Sequence, residues 1–153
     1  MIDVDLASLG GRIGEEVAVS DWLEITQQRI DQFAEATGDH QWIHVDPARA
    51  AVESPYKTTI AHGFLTLSLA STLLRGAMSL KTRMGINYGL NRVRFIAGVP
   101  AGSRIRGRFA PAKVEPIDGG VQVTWNITIE REGQTKPCAA IEWIVRYYLQ
   151  ETP

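Results

Sequence analysis

Apolar residues between positions 26 and 80 recur at helical spacing, in three stretches that short polar segments separate. In the first stretch the apolar groups fall on one helical face, at Ile30, Phe33, Ala34 and the methyl of Thr37. Thr26 is a suitable N-cap for this helix, and Gly38 is a suitable stop. The pattern therefore predicts an amphipathic helix over residues 26–37.

The second stretch is short and begins at Pro47, whose fixed φ suits the first position of a helix. Asp46 stands directly before it and can accept from the free N–H groups of the first turn. Residues 38–46 are therefore predicted to form a loop between two helices. In the third stretch, residues 63–80, leucine, alanine and phenylalanine lie on nearly every face. We therefore expect a long central helix that other elements wrap.

The second half of the chain has the pattern of strands. β-Branched and aromatic residues concentrate in residues 86–95, 103–114, 121–130 and 139–149, and a further strand is expected around 16–22. Strict alternation puts one apolar set on a single face: Val121, Val123, Trp125, Ile127 and Ile129. Helices followed by antiparallel strands predict an α+β domain in which a curved sheet lies around the apolar helix. The open edges of this sheet favour pairing with a second copy, as a homodimer or higher homo-oligomer.

Length and charge narrow the range of functions. The chain has 153 residues, 44% of them hydrophobic, which predicts a single domain over residues 1–153. Because 16 Lys and Arg residues nearly balance 17 Asp and Glu residues, we expect neither nucleic acid nor a membrane surface as a partner. The longest apolar stretch, residues 64–74, is shorter than the roughly 20 residues of a membrane span. The single cysteine, Cys138, and the acidic start of the chain favour a cytoplasmic location.

All three histidines lie between positions 40 and 62, and two of them fall in the predicted loop among acidic residues. Loops on a rigid scaffold often carry catalytic groups. Asp39 and His44 together can activate water by general acid–base catalysis, as the addition of water to a conjugated thioester requires. Two other interpretations stay open. Asp39 can be a turn residue that follows a helix-ending glycine, and His44 can be a hydrogen-bonded structural histidine.

A metal site is a further alternative for the same segment. His40 and His44 stand four residues apart, with Asp39 and Asp46 beside them. On one helix this spacing would present two ligands to zinc. A glycine and a proline bound the segment too closely for a stable helix, so the sequence favours a site without metal.

A second group of candidate residues stands at the start of the central helix, where His62 precedes Gly63. The first N–H groups of a helix lack internal partners and carry partial positive charge, so the backbone at Gly63 can hold a substrate carbonyl oxygen. The alternatives are that Gly63 only relaxes packing at the start of the helix and that His62 only caps the helix or fills space. Ser71, about two turns further along, either bonds the backbone one turn earlier or supports the active site.

Segment 33–47, with Asp39 and His44, and segment 59–65, Thr-Ile-Ala-His-Gly-Phe-Leu, together resemble the MaoC-like, (R)-specific enoyl-CoA hydratase family. The strand Asn-Tyr-Gly-Leu-Asn-x-Val-Arg-Phe at residues 87–95 is similar to that of the single-domain, NodN-like branch. The resemblance covers about residues 17–147. It implies the hot dog fold, a curved antiparallel sheet around a central helix, in a protein that is usually a homodimer.

The resemblance also implies an activity and the residues that carry it. Asp39 and His44 match the pair that activates water, Gly63 matches the backbone donor to the thioester oxygen, and Ser71 matches a serine that supports the active site. His62 is a further supporting candidate beside Gly63. The implied reaction is the reversible hydration of a trans-2-enoyl thioester to the (R)-3-hydroxyacyl thioester, on CoA or acyl carrier protein. The resemblance implies no cofactor and no metal.

Two competing functions fit the same fold. A thioesterase can present a carboxylate to water beside a thioester carbonyl, and a non-catalytic subunit can bind acyl thioesters without turnover. The complete pair of Asp39 and His44 favours the hydratase. Many relatives have Asn-Pro where this chain has Gln41-Trp42. We expect this departure to change the mouth of the pocket, and therefore the preferred length of the acyl chain, more than the type of reaction.

Overall fold

The computed structural model describes residues 1–149, so the last four residues of the predicted single domain lie outside the described part. The helices are α1 (Gln27–Thr37), α2 (Trp42–Val45), α3 (Pro47–Glu53) and α4 (Gly63–Ala77), with a 3-10 helix at Leu6–Gly11. The strands are β1 (Ile2–Val4), β2 (Ala18–Val19), β3 (Leu23–Glu24), β4 (Met78–Leu80), β5 (Met84–Phe95), β6 (Arg104–Ile117), β7 (Gly120–Arg131) and β8 (Ala139–Tyr148).

The main sheet is antiparallel, with the strand order β2-β6-β7-β8-β5, and β3 also pairs with β6. The register shifts at three points, between Asn87 and Gly89, between Leu90 and Arg92, and between Pro111 and Lys113. Such bulges bend and twist a strand, and here they lie in β5 and β6. Strand β5 forms one edge of this sheet.

The hydrophobic core lies between α4 and the inner face of the sheet. Alternate residues of β7 are buried there, namely Val123, Trp125, Ile127 and Ile129, while Val121 is half-buried. The facing side of α4 contributes Leu65, Leu69, Leu73 and Leu74, all buried. Since truncation of a buried leucine to alanine costs about 2–5 kcal/mol, this packing fixes α4 firmly on the sheet. The predicted α+β class and the predicted inner face of β7 are confirmed.

The helix boundaries that local signals predict are confirmed at three points. Thr26 caps α1, and its hydroxyl accepts from the Arg29 N–H at 3.1 Å. Gly38 ends α1 with φ of 79°, in the left-handed region that favours glycine. Asp46 caps α3 and accepts from the Arg49 N–H at 3.0 Å.

Tertiary contacts override the local pattern in the segment between α1 and α3. Residues 38–46 are not all loop, because residues 42–45 form the single turn α2. The Ile43 carbonyl in this turn accepts from the Ile60 N–H at 3.1 Å, and this bond joins α2 to a distant part of the chain. Four residues alone cannot offset the cost of nucleating a helix, so contacts of this kind are needed to form the turn.

The central helix also differs from its prediction in length and in cover. It ends at Ala77 instead of at residue 80, because residues 78–80 leave the helix and pair in parallel with β1. It is not wrapped on every face: one stripe remains exposed and includes Phe64, Ser68, Thr72 and Arg75. The strand predicted around 16–22 is present as two short pieces, β2 and β3. No helix within residues 1–149 has the length and apolar content to cross a membrane.

Candidate active site

The end of α1 positions Asp39. The left-handed Gly38 turns the chain out of the helix, and its N–H still donates to the Ala34 carbonyl at 2.8 Å. The Asp39 side chain is exposed, and its Oδ1 accepts from the Gln41 N–H at 3.3 Å. The turn function and the predicted catalytic function of Asp39 are therefore compatible, because one carboxylate oxygen bonds the turn and the other accepts no hydrogen bond from residues 1–149.

The turn α2 positions His44, which is only 8% exposed. Its Nδ1 lies 2.7 Å from the Ile60 carbonyl oxygen. Since a carbonyl can only accept, Nδ1 carries the proton. The lone pair of the neutral ring is therefore on Nε2, the nitrogen that remains available for proton transfer. His44 is thus a hydrogen-bonded histidine, but the bond fixes the tautomer that a general base needs.

Gln27, which the sequence patterns did not single out, binds the backbone of His44. Its side-chain N–H groups donate to the His44 carbonyl at 2.8 Å and to the Asp31 carboxylate at 2.8 Å. Its side-chain carbonyl accepts from the hydroxyl of Thr59, which is buried next to the Ile60 carbonyl. Gln27 therefore connects the start of α1 to both chain segments that orient the His44 ring. A glutamine in the first turn of a helix gives no signal that such a role exists.

His62 lies against both members of the pair and is only 3% exposed. Its ring stacks on His44, with centroids 3.9 Å apart and planes inclined by 25°, and Phe33 packs on it at 4.9 Å. Its Nε2 donates to the Asp39 backbone carbonyl at 3.0 Å. Its Nδ1 is buried and has no hydrogen-bond partner within residues 1–149. A buried polar atom left unpaired costs about 1–3 kcal/mol, so stability alone does not account for a histidine here.

These contacts gather one carboxylate oxygen of Asp39 and one ring nitrogen from each of His44 and His62 within 4.8 Å of one another. Burial, the largest influence, lowers the pKa of His44, and the neighbouring His62 lowers it further. The bond to the Ile60 carbonyl and the nearby Asp39 act in the opposite direction. The net direction is downward, which keeps His44 neutral at neutral pH and able to accept a proton.

The positions of the rings disfavour a single metal ion between the two histidines. An imidazole nitrogen binds zinc in its ring plane at about 2.0–2.1 Å. The ring centroids of His44 and His62 are 3.9 Å apart and their planes are inclined by only 25°, so the two planes do not meet within that distance of the ring nitrogens. His40, the other ligand in the metal alternative, is exposed and lies 3.5 Å from the Glu35 carboxylate.

Gly63 begins α4 directly after His62. A Cβ at this position would lie 3.0–3.1 Å from ring atoms of Phe95, so glycine is what lets this ring approach the helix start. A cavity of about 230 Å³ opens beside it, and its lining includes Gly63, Phe95 and Ile60. The first N–H groups of α4 have no partners within the helix and can donate to a carbonyl oxygen there. His62 stands at the N-cap position, but its side chain makes no capping bond.

Ser71 does not line the cavity beside Gly63. It is half-buried and, with Asn87 and Trp143, lines a cavity of about 320 Å³ between α4 and the sheet. A hydrogen bond from a serine hydroxyl to the backbone carbonyl one turn earlier was one alternative for Ser71. In this helix Ser68 makes such a bond, and its hydroxyl donates to the Phe64 carbonyl at 2.7 Å. A supporting role for Ser71 stays a prediction.

Comparison with known proteins places the chain among characterised sequences. The family profile of the MaoC like domain matches residues 8–132. The 3-hydroxyacyl-thioester dehydratase Z of Mycobacterium tuberculosis is 51% identical over 144 residues, which are 93% of this chain and 95% of that protein. The nodulation protein N of Rhizobium leguminosarum is 47% identical over 147 residues, 94% of this chain and 91% of that protein.

Solved structures confirm the hot dog fold. The R-hydratase PhaJ1 from Pseudomonas aeruginosa superposes with a TM-score of 0.73 at 22% identity, covering 95% of this chain and 86% of that one. The (R)-hydratase from A. caviae superposes with a TM-score of 0.67 at 22% identity, covering 90% of this chain and 96% of that one. The profile match extends over most of the chain, and two relatives near 50% identity cover almost all of it. The chain therefore belongs to the MaoC-like dehydratase family and is an enzyme of the lyase class.

Proposed function

We propose that this enzyme catalyses the reversible hydration of a trans-2-enoyl thioester to the (R)-3-hydroxyacyl thioester. The observation that carries the proposal is the cluster of Asp39, His44 and His62 within 4.8 Å, at the start of α4. The names of the dehydratase and (R)-hydratase relatives support the same type of reaction. The (R) configuration rests on the family resemblance.

The proposed proton path begins at the neutral His44. Its Nε2 takes a proton from water, and the hydroxide so formed adds to C3 of the conjugated double bond. The electron pair of the double bond moves towards the thioester carbonyl, and C2 then takes the proton back from the His44 imidazolium. Asp39 orients the water and stabilises the imidazolium by its negative charge. One water is added in total, and the reverse sequence removes it.

The thioester oxygen gains negative charge as water adds, and we propose that it lies at the start of α4. The free N–H groups and the partial positive charge of a helix N-terminus stabilise an oxyanion. The cavity beside Gly63 opens on this helix start. Glycine has no side chain of its own to cover this backbone N–H.

We propose that the reaction needs no metal and no cofactor other than the thioester carrier, either CoA or acyl carrier protein. The chemistry supports this, because proton transfer and oxyanion stabilisation are both available from the chain itself. The cytoplasmic location stays a prediction.

The first experiment is an assay with purified protein and crotonyl-CoA or a longer trans-2-enoyl-CoA. Loss of the conjugated enoyl absorbance, with (R)-3-hydroxyacyl-CoA as product, is the expected result. A thiol reagent run in parallel separates the alternatives, because a thioesterase releases free CoA and a hydratase does not. Binding of thioesters on both carriers with no turnover at any chain length would instead indicate a non-catalytic subunit.

The pH dependence of kcat/KM should follow the ionisation of His44 in the free enzyme. Because burial lowers the pKa of His44 below its ordinary 6.5, the neutral base persists at pH values where an exposed histidine is largely protonated. We therefore expect activity to stay high at pH 6.5 and to fall only at lower pH. The rate of hydration measured from acidic to neutral pH tests this. A midpoint above 6.5 contradicts the burial argument.

We also propose that the enzyme is a homodimer that pairs through β5. This strand is at the edge of the main sheet, and it exposes five large apolar side chains: Met84, Ile86, Tyr88, Leu90 and Phe95. An exposed apolar edge strand is a template for pairing with another chain. The resemblance to dimeric hot dog proteins supports the same arrangement.

Lysine substitutions in β5 test the dimer. The double variant Ile86→Lys with Leu90→Lys should shift the mass from dimer to monomer in gel filtration with light scattering. The lysines of one β5 strand would repel those of the β5 strand in the second copy. Gln134→Lys, in the exposed turn between β7 and β8, adds charge away from the strand and should leave the mass unchanged. A wild-type monomer at micromolar concentration would rule the proposal out.

A further inference from the structure

His62 touches both members of the proposed catalytic pair, through different parts of its ring. The Nε2 hydrogen bond reaches the Asp39 backbone at 3.0 Å, and the ring face stacks on His44 at 3.9 Å. Phe33 covers it from α1. His62 is also the N-cap residue of α4. It therefore connects the start of this helix, where the substrate carbonyl is proposed to bind, to Asp39 and His44.

The simpler interpretation is that His62 only fills space or caps α4. The missing side-chain cap argues against the second of these roles. Filling space requires only an apolar ring, such as that of phenylalanine. The histidine instead buries Nδ1, which has no hydrogen-bond partner within residues 1–149. Groups that are costly to the fold and sit among reacting groups are frequently retained for function.

We propose, on the basis of the hydratase function above, that His62 is a positioning residue for that reaction. Its N–H holds the backbone of Asp39, and its ring holds and shields the His44 ring, so that carboxylate and imidazole stay aligned on one water. His62 itself transfers no proton in this scheme. Residues that orient catalytic groups in this way influence the rate although they do not contact the reacting atoms.

The two contacts can be separated by two substitutions. His62→Phe keeps an aromatic ring against His44 and removes the donor to the Asp39 carbonyl. His62→Gln keeps an N–H near the position of Nε2 and removes the ring. His40→Ala is the matched control, since this third histidine is exposed and pairs with Glu35 outside the cluster. Thermal unfolding of each variant confirms that it is folded.

Loss of the donor should act on the rate. Because the Asp39 turn is released in His62→Phe, we expect kcat to fall about 10–100-fold, the usual range for an orienting partner, with KM changed much less. Loss of the ring should act on the pH profile. In the native protein burial and the neighbouring His62 imidazole both lower the pKa of His44. In His62→Gln the His44 ring gains solvent and loses that imidazole, so its pKa should rise. The acid limb of kcat/KM should therefore move to higher pH in this variant. It should move less in His62→Phe, because the phenylalanine ring keeps His44 buried and burial is the largest influence on its pKa.

NMR titration of the imidazole groups gives a readout that does not require turnover, and the chain has only three histidines to assign. We expect the titration of His44 to move to higher pH in His62→Gln, to move less in His62→Phe, and to remain near the wild-type position in His40→Ala. If the two His62 variants match the wild type in both titration and kinetics, His62 is only a filler. If the wild type lacks hydratase activity, the proposed reaction fails, while the titration still decides whether His62 shields His44.

Discussion

Asp39→Asn should lower kcat by about 10²-fold or more, the scale of general acid–base assistance, without unfolding the protein. The amide has the shape of the carboxylate but no charge, so it cannot stabilise the imidazolium that forms on His44. The fold should tolerate the change because Asp39 is exposed, and the amide oxygen can still accept from the Gln41 N–H. KM should change little, because the lost interaction belongs mainly to the transition state.

The crotonyl-CoA assay measures this effect, with circular dichroism and the unfolding temperature as checks of the fold. Asp118→Asn is a matched control, because Asp118 is exposed in the turn between β6 and β7 and the same charge is removed. The control should keep wild-type activity. Full activity in Asp39→Asn, with chemistry rate-limiting, would remove Asp39 from the mechanism and return it to the role of a turn residue.

Features set by neighbours in the chain were predictable from the sequence. Thr26 and Gly38 bound α1 because capping and left-handed conformation are local preferences. The alternation in β7 identified its buried face because side chains of a strand alternate wherever the strand lies. The motif around Asp39 and His44 led to the family, and the comparisons confirm the family.

Features set by distant contacts were not predictable. The turn α2 and the early end of α4 both depend on hydrogen bonds to other segments, in one case to Ile60 and in the other to β1. The partners of His44 lie 16 and 17 residues away, at the Ile60 carbonyl and the Gln27 side chain. A carbonyl is present at every residue, so no pattern of residue types reveals which one will orient a catalytic ring.

The dependence of His44 on the Ile60 carbonyl gives a second large effect that separates catalysis from stability. His44→Ala removes the Nε2 base and should lower kcat by about 10²-fold or more. It also removes the donor to the carbonyl of the half-buried Ile60, which should reduce the free energy of unfolding by about 0.5–1.5 kcal/mol, the net value of one hydrogen bond. A loss of activity in this variant alone would therefore have two explanations.

His44→Asn resolves them. The amide nitrogen of asparagine reaches about the position of Nδ1, so it can still donate to Ile60, but it has no counterpart of Nε2. We expect its urea unfolding midpoint to lie near that of the wild type, while its kcat falls as far as that of His44→Ala. The remaining rate should also lose the acid limb of its pH profile, because the titrating base is gone. If His44→Asn instead keeps most of the activity, the ring serves the fold through Ile60, and the base must be sought elsewhere in the cluster.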